Sequence, residues 1–231
     1  MNFLIDSFLA AFALLKSLDP SLLEIVAVSL RVSVSSTFIA AVFGVPAGFL
    51  ISFQEFPFKR SLITVFNTLL ALPTVVIGLF VYAFISRNSI FGAYDLLYTQ
   101  TAMVIGQSIL IVPIVTVFTL TAISRIDKRY RQTALTLGAG PLRTAGVILR
   151  EARFGIMAAI VAAFGRVISE IGISMMLGGN IQGFTRTMTT AMALQYDKGD
   201  FVLAVALGMI LLAISLTVNV LLHYFQGKTS G

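Results

Sequence analysis

The chain has 231 residues, of which 58% are hydrophobic and 11% charged, and its formal net charge is +6. Soluble domains carry roughly 25% charged residues, so this composition, with a mean hydropathy of +0.96, excludes a water-soluble globular protein. The absence of cysteine excludes disulfides, thiolate nucleophiles and cysteine-based metal sites. His223 is the single histidine, so a histidine-rich metal site is excluded as well.

The first 19 residues predict a short helix that lies in the membrane interface. No basic residue precedes Lys16 and no cleavage site of small residues is present, so the segment lacks the features of a secretory signal. The uncharged stretch between Asp6 and Lys16 is too short to span a bilayer. Its apolar side chains fall roughly on one helical face: Phe3, Leu4, Phe8, Phe12 and Leu15.

Five apolar segments are long enough to cross a bilayer, which takes about 20 residues at 1.5 Å each. Helices are predicted because lipid cannot satisfy free backbone polar groups and no barrel-type alternation is present. The sequence therefore predicts an all-α polytopic membrane protein with five transmembrane helices, a single transmembrane domain over residues 20–225 and a short cytoplasmic tail over 226–231. The five segments cover residues 22–53, 61–86, 96–124, 154–177 and 201–222.

Prolines and glycines inside these segments predict local geometry. Pro46, Pro73 and Pro113 each lie within a span, where a proline kinks the helix and frees a carbonyl. Gly44 and Gly48 form a Gly-x-x-x-Gly pattern, which predicts a face on which a neighbouring helix packs closely.

The distribution of Lys and Arg predicts the orientation, because cytoplasmic loops carry an excess of them. The opposite side has four basic residues, diluted by aspartates, so the N-terminus is predicted outside and the C-terminus inside. We interpret the basic loops as topological and not as a nucleic-acid site. The nine basic residues that mark the cytoplasmic side are Lys59, Arg60, Arg125, Lys128, Arg129, Arg131, Arg143, Arg150 and Arg153.

The long cytoplasmic segment 125–153 predicts a helix, a tight turn and a second helix. Ser124 is a plausible N-cap with Asp127 at the third helical position, so the first helix is predicted over 125–137. Its apolar stripe beside a basic face suits either a helix resting on the lipid headgroups or a helix that docks into a partner.

The turn of this segment favours the docking interpretation, since a resting helix needs no compact reversal. Gly138 is a natural helix stop and Gly140 reverses the chain. Pro141 suits the first position of the second helix, which continues into span four.

The run 132–140, followed by Ile148, resembles the cytoplasmic coupling motif of ABC importer permeases. That motif has Glu-Ala-Ala, three residues, Gly, nine residues and then Ile. Here Gln and Thr replace the first two residues, and Arg-Glu stands at 150–151 where Leu-Pro often closes the motif. The resemblance implies that the segment docks on an ATPase through Gln132, Thr133, Ala134, Gly138, Gly140, Pro141 and Ile148.

A second stretch looks like the signature of molybdate and tungstate permeases. It consists of Ser-Glu-Ile-Gly-Ile-Ser at 169–174, Gly-Gly-Asn-Ile-Gln-Gly at 178–183 and Thr-Arg-Thr at 185–187. The order of Gly-Asn-Ile-x-Gly-x-Thr-Arg-Thr after an intramembrane glutamate is fairly specific. The resemblance extends from about Leu22 to the end of span five and is strongest to the tungstate type.

The resemblance implies the fold of an ABC importer permease and an ATP-driven function. Two copies of the chain would form the pathway in the inner membrane of a prokaryote, two cytoplasmic ATPase subunits would dock on the coupling loops, and an external binding protein would deliver the oxyanion. No cofactor or enzyme activity is then expected in this chain, because ATP and Mg would bind the ATPase.

Other functions stay open alongside an importer for tungstate or molybdate. A permease for another anion, such as sulfate, belongs to the same class. A secondary transporter or channel belongs to a different one, but five spans cannot divide into equal halves and such proteins need no docking loop.

Three intramembrane or near-membrane features are candidates for the pathway or a gate. Arg166 and Glu170 are four residues apart on one face of span four, either as a structural pair or as part of a gate. Arg31 is either an interfacial anchor or a basic residue on the oxyanion route. The third feature is the Gly- and Thr-rich segment after span four, an ordinary outer loop or a gate, with the candidates Gly178, Gly179, Asn180, Gly183, Thr185, Arg186 and Thr187.

Overall fold

A computed structural model describes residues 9–10, 12–13, 16–17 and 19–227. The predicted interfacial helix of residues 1–19 falls for the most part outside the described residues, as do residues 228–231. Within residues 19–227 the chain forms α-helices and no strand. The nine helices are α1 (Pro20–Phe53), α2 (Lys59–Leu69), α3 (Thr74–Ile85), α4 (Gln100–Ser124), α5 (Lys128–Thr136), α6 (Pro141–Ile168), α7 (Gly172–Gly178), α8 (Met188–Lys198) and α9 (Phe201–Gly227).

Three of these helices, α1, α4 and α9, are long and apolar enough to cross a membrane by themselves. Two further spans are broken: α2 and α3 meet at 98°, and α6 and α7 meet at 60°. The predicted all-helical membrane fold is therefore confirmed, with up to five spans if each bent pair is one span. The kink predicted at Pro73 within 61–86 is confirmed as a break, whereas the break within 154–177 was not predicted.

The break between α2 and α3 follows from Pro73. Pro73 has an extended backbone at the start of α3 (ψ 133°) and lacks the N–H that would continue a helix across residues 70–73. Pro46 and Pro113, by contrast, lie inside α1 and α4 without ending them. A span with flanking helices can tolerate a proline in this way.

The helices α1 and α4 pack along the two predicted glycines. A Cβ atom at Gly48 would lie 2.5 Å from the Thr116 carbonyl oxygen, and one at Gly44 would lie 2.8 Å from the Val115 Cβ. Neither distance is accessible to a real side chain, so the glycines allow the two backbones to approach. The predicted close-packing face is confirmed.

The core lies around α4. In the most apolar 18-residue stretch of α4, 61% of the residues are buried inside the protein. In the corresponding stretch of α9, 11% of the residues are buried. Side chains from α1, α3, α4, α6 and α7 form the main cluster, which includes Ile111, Val115 and Ile173. A second cluster joins α9 and α8 to α1 and α6 through residues such as Met188 and Leu207.

Candidate functional site

The helix α5 begins three residues later than the sequence indicated. Asp127 and not Ser124 is its N-cap, because the Asp127 carboxylate accepts a hydrogen bond of 2.9 Å from the Arg129 N–H. The Ser124 hydroxyl instead donates to the Thr121 carbonyl oxygen at the end of α4. An aspartate at the third position can itself cap, so the pattern fitted two helix starts.

The turn after α5 has the predicted geometry. Gly138 has a φ of +75°, the left-handed conformation that ends helices and that glycine adopts without steric cost. The Ala139 N–H closes the turn on the Ala134 carbonyl oxygen at 2.9 Å. Gly140 then precedes Pro141, which is the first residue of α6. The chain reverses within a few residues, as the sequence predicted.

The coupling candidates divide into buried anchors and an exposed tip. Ala134 and Ile148 are buried, and Ile148 packs against Ile123 at the end of α4 and against Ala152 one turn further along α6. The other candidates are exposed: Gln132, which lines the cleft beside α1 and α4, and Thr133, Gly138, Gly140 and Pro141. Two large apolar side chains accompany them, Leu137 with 81% and Leu142 with 90% of its surface exposed.

The helix α5 contacts the bundle chiefly through α6. A cleft of about 620 Å³ separates α5 from the ends of α1 and α4. Across it the Arg131 guanidinium lies 4.9 Å from the centre of the Phe53 ring, a cation–π distance. The coupling segment is therefore anchored on one side and open on the others.

The predicted pair in span four is an ion pair at the break between α6 and α7. The Arg166 Nη1 donates to Glu170 Oε2 at 2.6 Å. The carboxylate is buried, with 3% of its side chain exposed, whereas 40% of the Arg166 side chain is exposed. Thirteen residues separate Arg166 from Arg153, the last basic residue of the loop, so Arg166 lies about 20 Å deeper along the helix.

Glu170 also organises the start of α7. Its Oε1 accepts hydrogen bonds from the backbone N–H groups of Gly172 (2.9 Å) and Ile173 (3.4 Å). Its backbone carbonyl oxygen accepts from the Thr189 hydroxyl at 2.9 Å and from the Ser174 hydroxyl at 3.3 Å. Glu170 is thus held by four groups of α7 and α8 besides Arg166.

The loop between α7 and α8 binds mostly to itself. The buried Thr185 hydroxyl donates to the Gly178 carbonyl oxygen and accepts from the Ile181 N–H at 3.0 Å. The Thr187 hydroxyl caps α8 in a capping box with Thr190. Both threonine hydroxyls are therefore engaged within the loop.

Arg186 and Asn180 close the same loop. The Arg186 Nε donates to the Asn180 side-chain oxygen at 3.2 Å and its Nη2 to the Asn180 carbonyl oxygen at 3.3 Å. Asn180, Gly179 and Gly183 have positive φ angles of 51°, 70° and 75°. Left-handed backbone suits glycine and asparagine, so the composition of the loop follows from its turns.

Arg31 lies apart from these groups. It is exposed on α1, and it makes no ion pair within the described residues. The 34 residues of α1 extend about 51 Å, whereas about 20 residues cross the hydrocarbon. Counted back from Phe53, Arg31 falls at the outer boundary, a depth at which an arginine reaches the headgroups.

A chain of buried hydrogen bonds that the sequence did not reveal links four helices. The Ser36 hydroxyl of α1 donates to the Gln107 side-chain oxygen of α4 at 3.1 Å, and the Gln107 amide donates to the Ser174 hydroxyl of α7 at 3.1 Å. Ser174 donates in turn to the Glu170 carbonyl oxygen, where the Thr189 hydroxyl of α8 also donates. Gln107 was the available signal in the sequence, because an amide side chain inside an uncharged span needs hydrogen-bond partners.

Comparison with known proteins gives a match over most of the chain. Residues 40–231 match the model of the family described as binding-protein-dependent transport system inner membrane component. The tungstate uptake system permease protein of Peptoclostridium acidaminophilum is 37% identical over 98% of this chain and 99% of its own length. A probable anion ABC transporter permease protein of Haloferax volcanii is 38% identical over 91% and 93%.

A molybdenum transport system permease protein of Escherichia coli K12 is more distant, at 29% identity over 83% of this chain and 91% of its own length. Among solved structures, the crystal structure of an amino acid ABC transporter superposes with a TM-score of 0.71 at 17% identity, over 94% of this chain and 97% of that one. At this identity the structural likeness concerns the fold.

Proposed function

Because this chain belongs to the family of binding-protein-dependent transport system inner membrane components, we propose that it forms the translocation pathway of an ATP-driven importer for tungstate. Proteins of this family are membrane subunits, and ATP hydrolysis belongs to a partner chain. An external binding protein delivers the substrate to such a system. The family and the apolar helices establish a membrane protein.

The exposed coupling turn carries the proposal for how ATP hydrolysis drives transport. Leu137 and Leu142 project from a turn whose base is fixed by the buried Ala134 and Ile148. An apolar tip on a rigid base fits a groove on a partner, which is how amphipathic helices are commonly recognised. The ATPase, with its ATP and Mg, is the partner that this geometry and the family suggest.

The choice of substrate rests on the relatives. The tungstate relative matches nearly the whole chain at 37% identity, whereas the molybdenum relative reaches 29% and the sulfate relatives 24%. Molybdate and sulfate are therefore the alternatives within the class. All three are tetrahedral dianions, so they would use the same donors.

Two copies of the chain would enclose the pathway, with the N-terminus outside and the C-terminus inside. The proposed orientation rests on the basic residues of the segment that contains α5. By the positive-inside rule, loops rich in Lys and Arg lie on the cytoplasmic side of the membrane. The inner membrane of a prokaryote fits this arrangement.

The test is uptake into proteoliposomes that hold this chain, its ATPase and its binding protein, with tungstate, molybdate and sulfate in competition. We expect tungstate uptake that requires ATP. In a Gly138→Asp variant uptake should be lost, because aspartate at a φ of +75° strains the turn and adds a charge to the apolar tip. Binding of the ATPase, measured by co-purification, should fall with it.

Two results would contradict the proposal. Uptake that proceeds equally without the ATPase would identify a secondary transporter or a channel. If uptake requires ATP but sulfate competes better than tungstate, the protein is still an ATP-driven importer, and its substrate is sulfate and not tungstate.

A further inference from the structure

One uncovered face of α6 has small side chains. Along the helix, Ala162 and Ser169 are exposed and Gly165 is half-buried. A Cβ atom built at Gly165 would have no neighbour within 4 Å among the described residues. This face therefore borders open space within the single chain, and Gly165 directly precedes Arg166 in the sequence.

Exposed positions of α1 and α9 include large apolar side chains of the kind expected against lipid. Phe38 of α1 is 70% exposed, and Leu212 and Leu216 of α9 are 72% and 66% exposed. An arginine about 20 Å into the membrane is costly against lipid tails and normally faces a cavity or a partner. Small side chains beside a half-exposed arginine do not suit lipid tails, so this face of α6 borders water or a partner.

The ion pair at this position is asymmetric. Glu170 is buried and held by two backbone N–H groups of α7 as well as by Arg166. Arg166 has a single bond, from Nη1, within the described residues, although a guanidinium has five N–H donors. The carboxylate is fixed, and the guanidinium retains N–H donors without a partner among the described residues.

We propose that Arg166 is a contact for the transported oxyanion inside the pathway and that Glu170 is the partner that holds Arg166 between passages. This inference rests on the proposed function. A guanidinium binds tetrahedral oxyanions through parallel N–H groups. Glu170 repels the dianion and competes with it for Arg166, so binding stays weak enough for the ion to leave, as conduction requires.

Neutralising both members of the pair separates this role from a structural one. If the pair only cancels two charges within the span, Arg166→Gln with Glu170→Gln removes both charges together and preserves uptake. We expect the opposite: uptake per ATP hydrolysed in the double variant should fall by about tenfold or more, the size of a lost hydrogen bond to a charged group. Assembly with the ATPase should remain at the wild-type level.

The matched control is the double variant Arg87→Gln with Asp95→Asn, which neutralises an exposed ion pair of 3.6 Å on the outer loop. It should transport like the wild type. Wild-type uptake by the double variant at 166 and 170 would overturn the role of Arg166 and leave the proposed function intact. Absence of oxyanion uptake by the wild type itself would overturn the proposed function.

A second measurement keeps the inference testable if the double variant fails to assemble. Because the chain has no cysteine, single Gly165→Cys and Leu216→Cys variants give clean labelling with charged methanethiosulfonates. Cysteine at 165 should react, faster with the negatively charged reagent than with the positively charged one, and cysteine at 216 should not. Equal labelling at both positions, or a preference for the positive reagent at 165, would overturn it.

Discussion

At the scale of single residues, the close contact between α1 and α4 depends on the absence of a side chain at Gly48. The position allows no Cβ, since the nearest atom would be a backbone oxygen of α4 at 2.5 Å. Backbone atoms cannot rotate away as a side-chain tip can. Any larger residue must separate the two helices that form the largest interface of the bundle.

We therefore predict that Gly48→Ala lowers the free energy of unfolding by about 1–3 kcal/mol, the usual cost of overpacking a core. Thermal unfolding of the purified chain in detergent measures it. Gly146→Ala in α6 is the matched control, because a Cβ there has no neighbour within 4 Å. It should be neutral or stabilising, since alanine favours helix over glycine. Equal destabilisation by both changes would contradict this account.

At the scale of helices, α1 and α8 are joined by one buried hydrogen bond. The Met188 N–H, at the start of α8, donates to the Ser29 hydroxyl of α1 at 2.7 Å. That N–H lies in the first turn, so it has no partner within its own helix. Ser29 also donates to the Ile25 carbonyl oxygen, which orients its oxygen as an acceptor.

Ser29→Ala should cost about 1–3 kcal/mol of stability, because it leaves a buried N–H without an acceptor. Ser108→Ala provides the comparison: its hydroxyl is also buried, but it only donates, at 3.4 Å, to a carbonyl oxygen of α1. Removal of that donor leaves no buried N–H unpaired. The measurement is the melting temperature of each variant in detergent. If Ser108→Ala lowers the melting temperature as much as Ser29→Ala does, the proposed importance of the Ser29–Met188 hydrogen bond is refuted.

The sequence predicted the helices better than it predicted their breaks. Hydropathy reports whether a segment is apolar, and this located α1, α4 and α9 well. It contains no information about direction, so the 60° bend between α6 and α7 was not foreseen, whereas Pro73 indicated a kink where α2 and α3 meet at 98°. The Arg166–Glu170 pair followed from helical spacing, but the contacts of Glu170 with α7 and α8 join residues up to 19 positions apart. Such contacts depend on the tertiary packing.

At the scale of the whole molecule, the predicted orientation can be measured because the chain contains no cysteine. A cysteine at Asn88, between α3 and α4, should react with an impermeant maleimide on intact cells. A cysteine at Thr133, in α5, should react only after the membrane is opened. Both side chains are exposed, and expression of the chain without its ATPase leaves Thr133 uncovered, so burial does not limit the reaction. The reverse pattern would contradict the orientation and place α5 outside.

The spacing of Arg166 and Glu170 also bears on biosynthesis. Each charge alone would raise the cost of inserting its span by about 2.5–3.5 kcal/mol. The two residues belong to one segment and lie four positions apart, with a bond of 2.6 Å between them. They can pair as soon as this part of the chain enters the bilayer, before any other helix has docked. The segment therefore inserts with its charges already compensated and needs no second helix for that step.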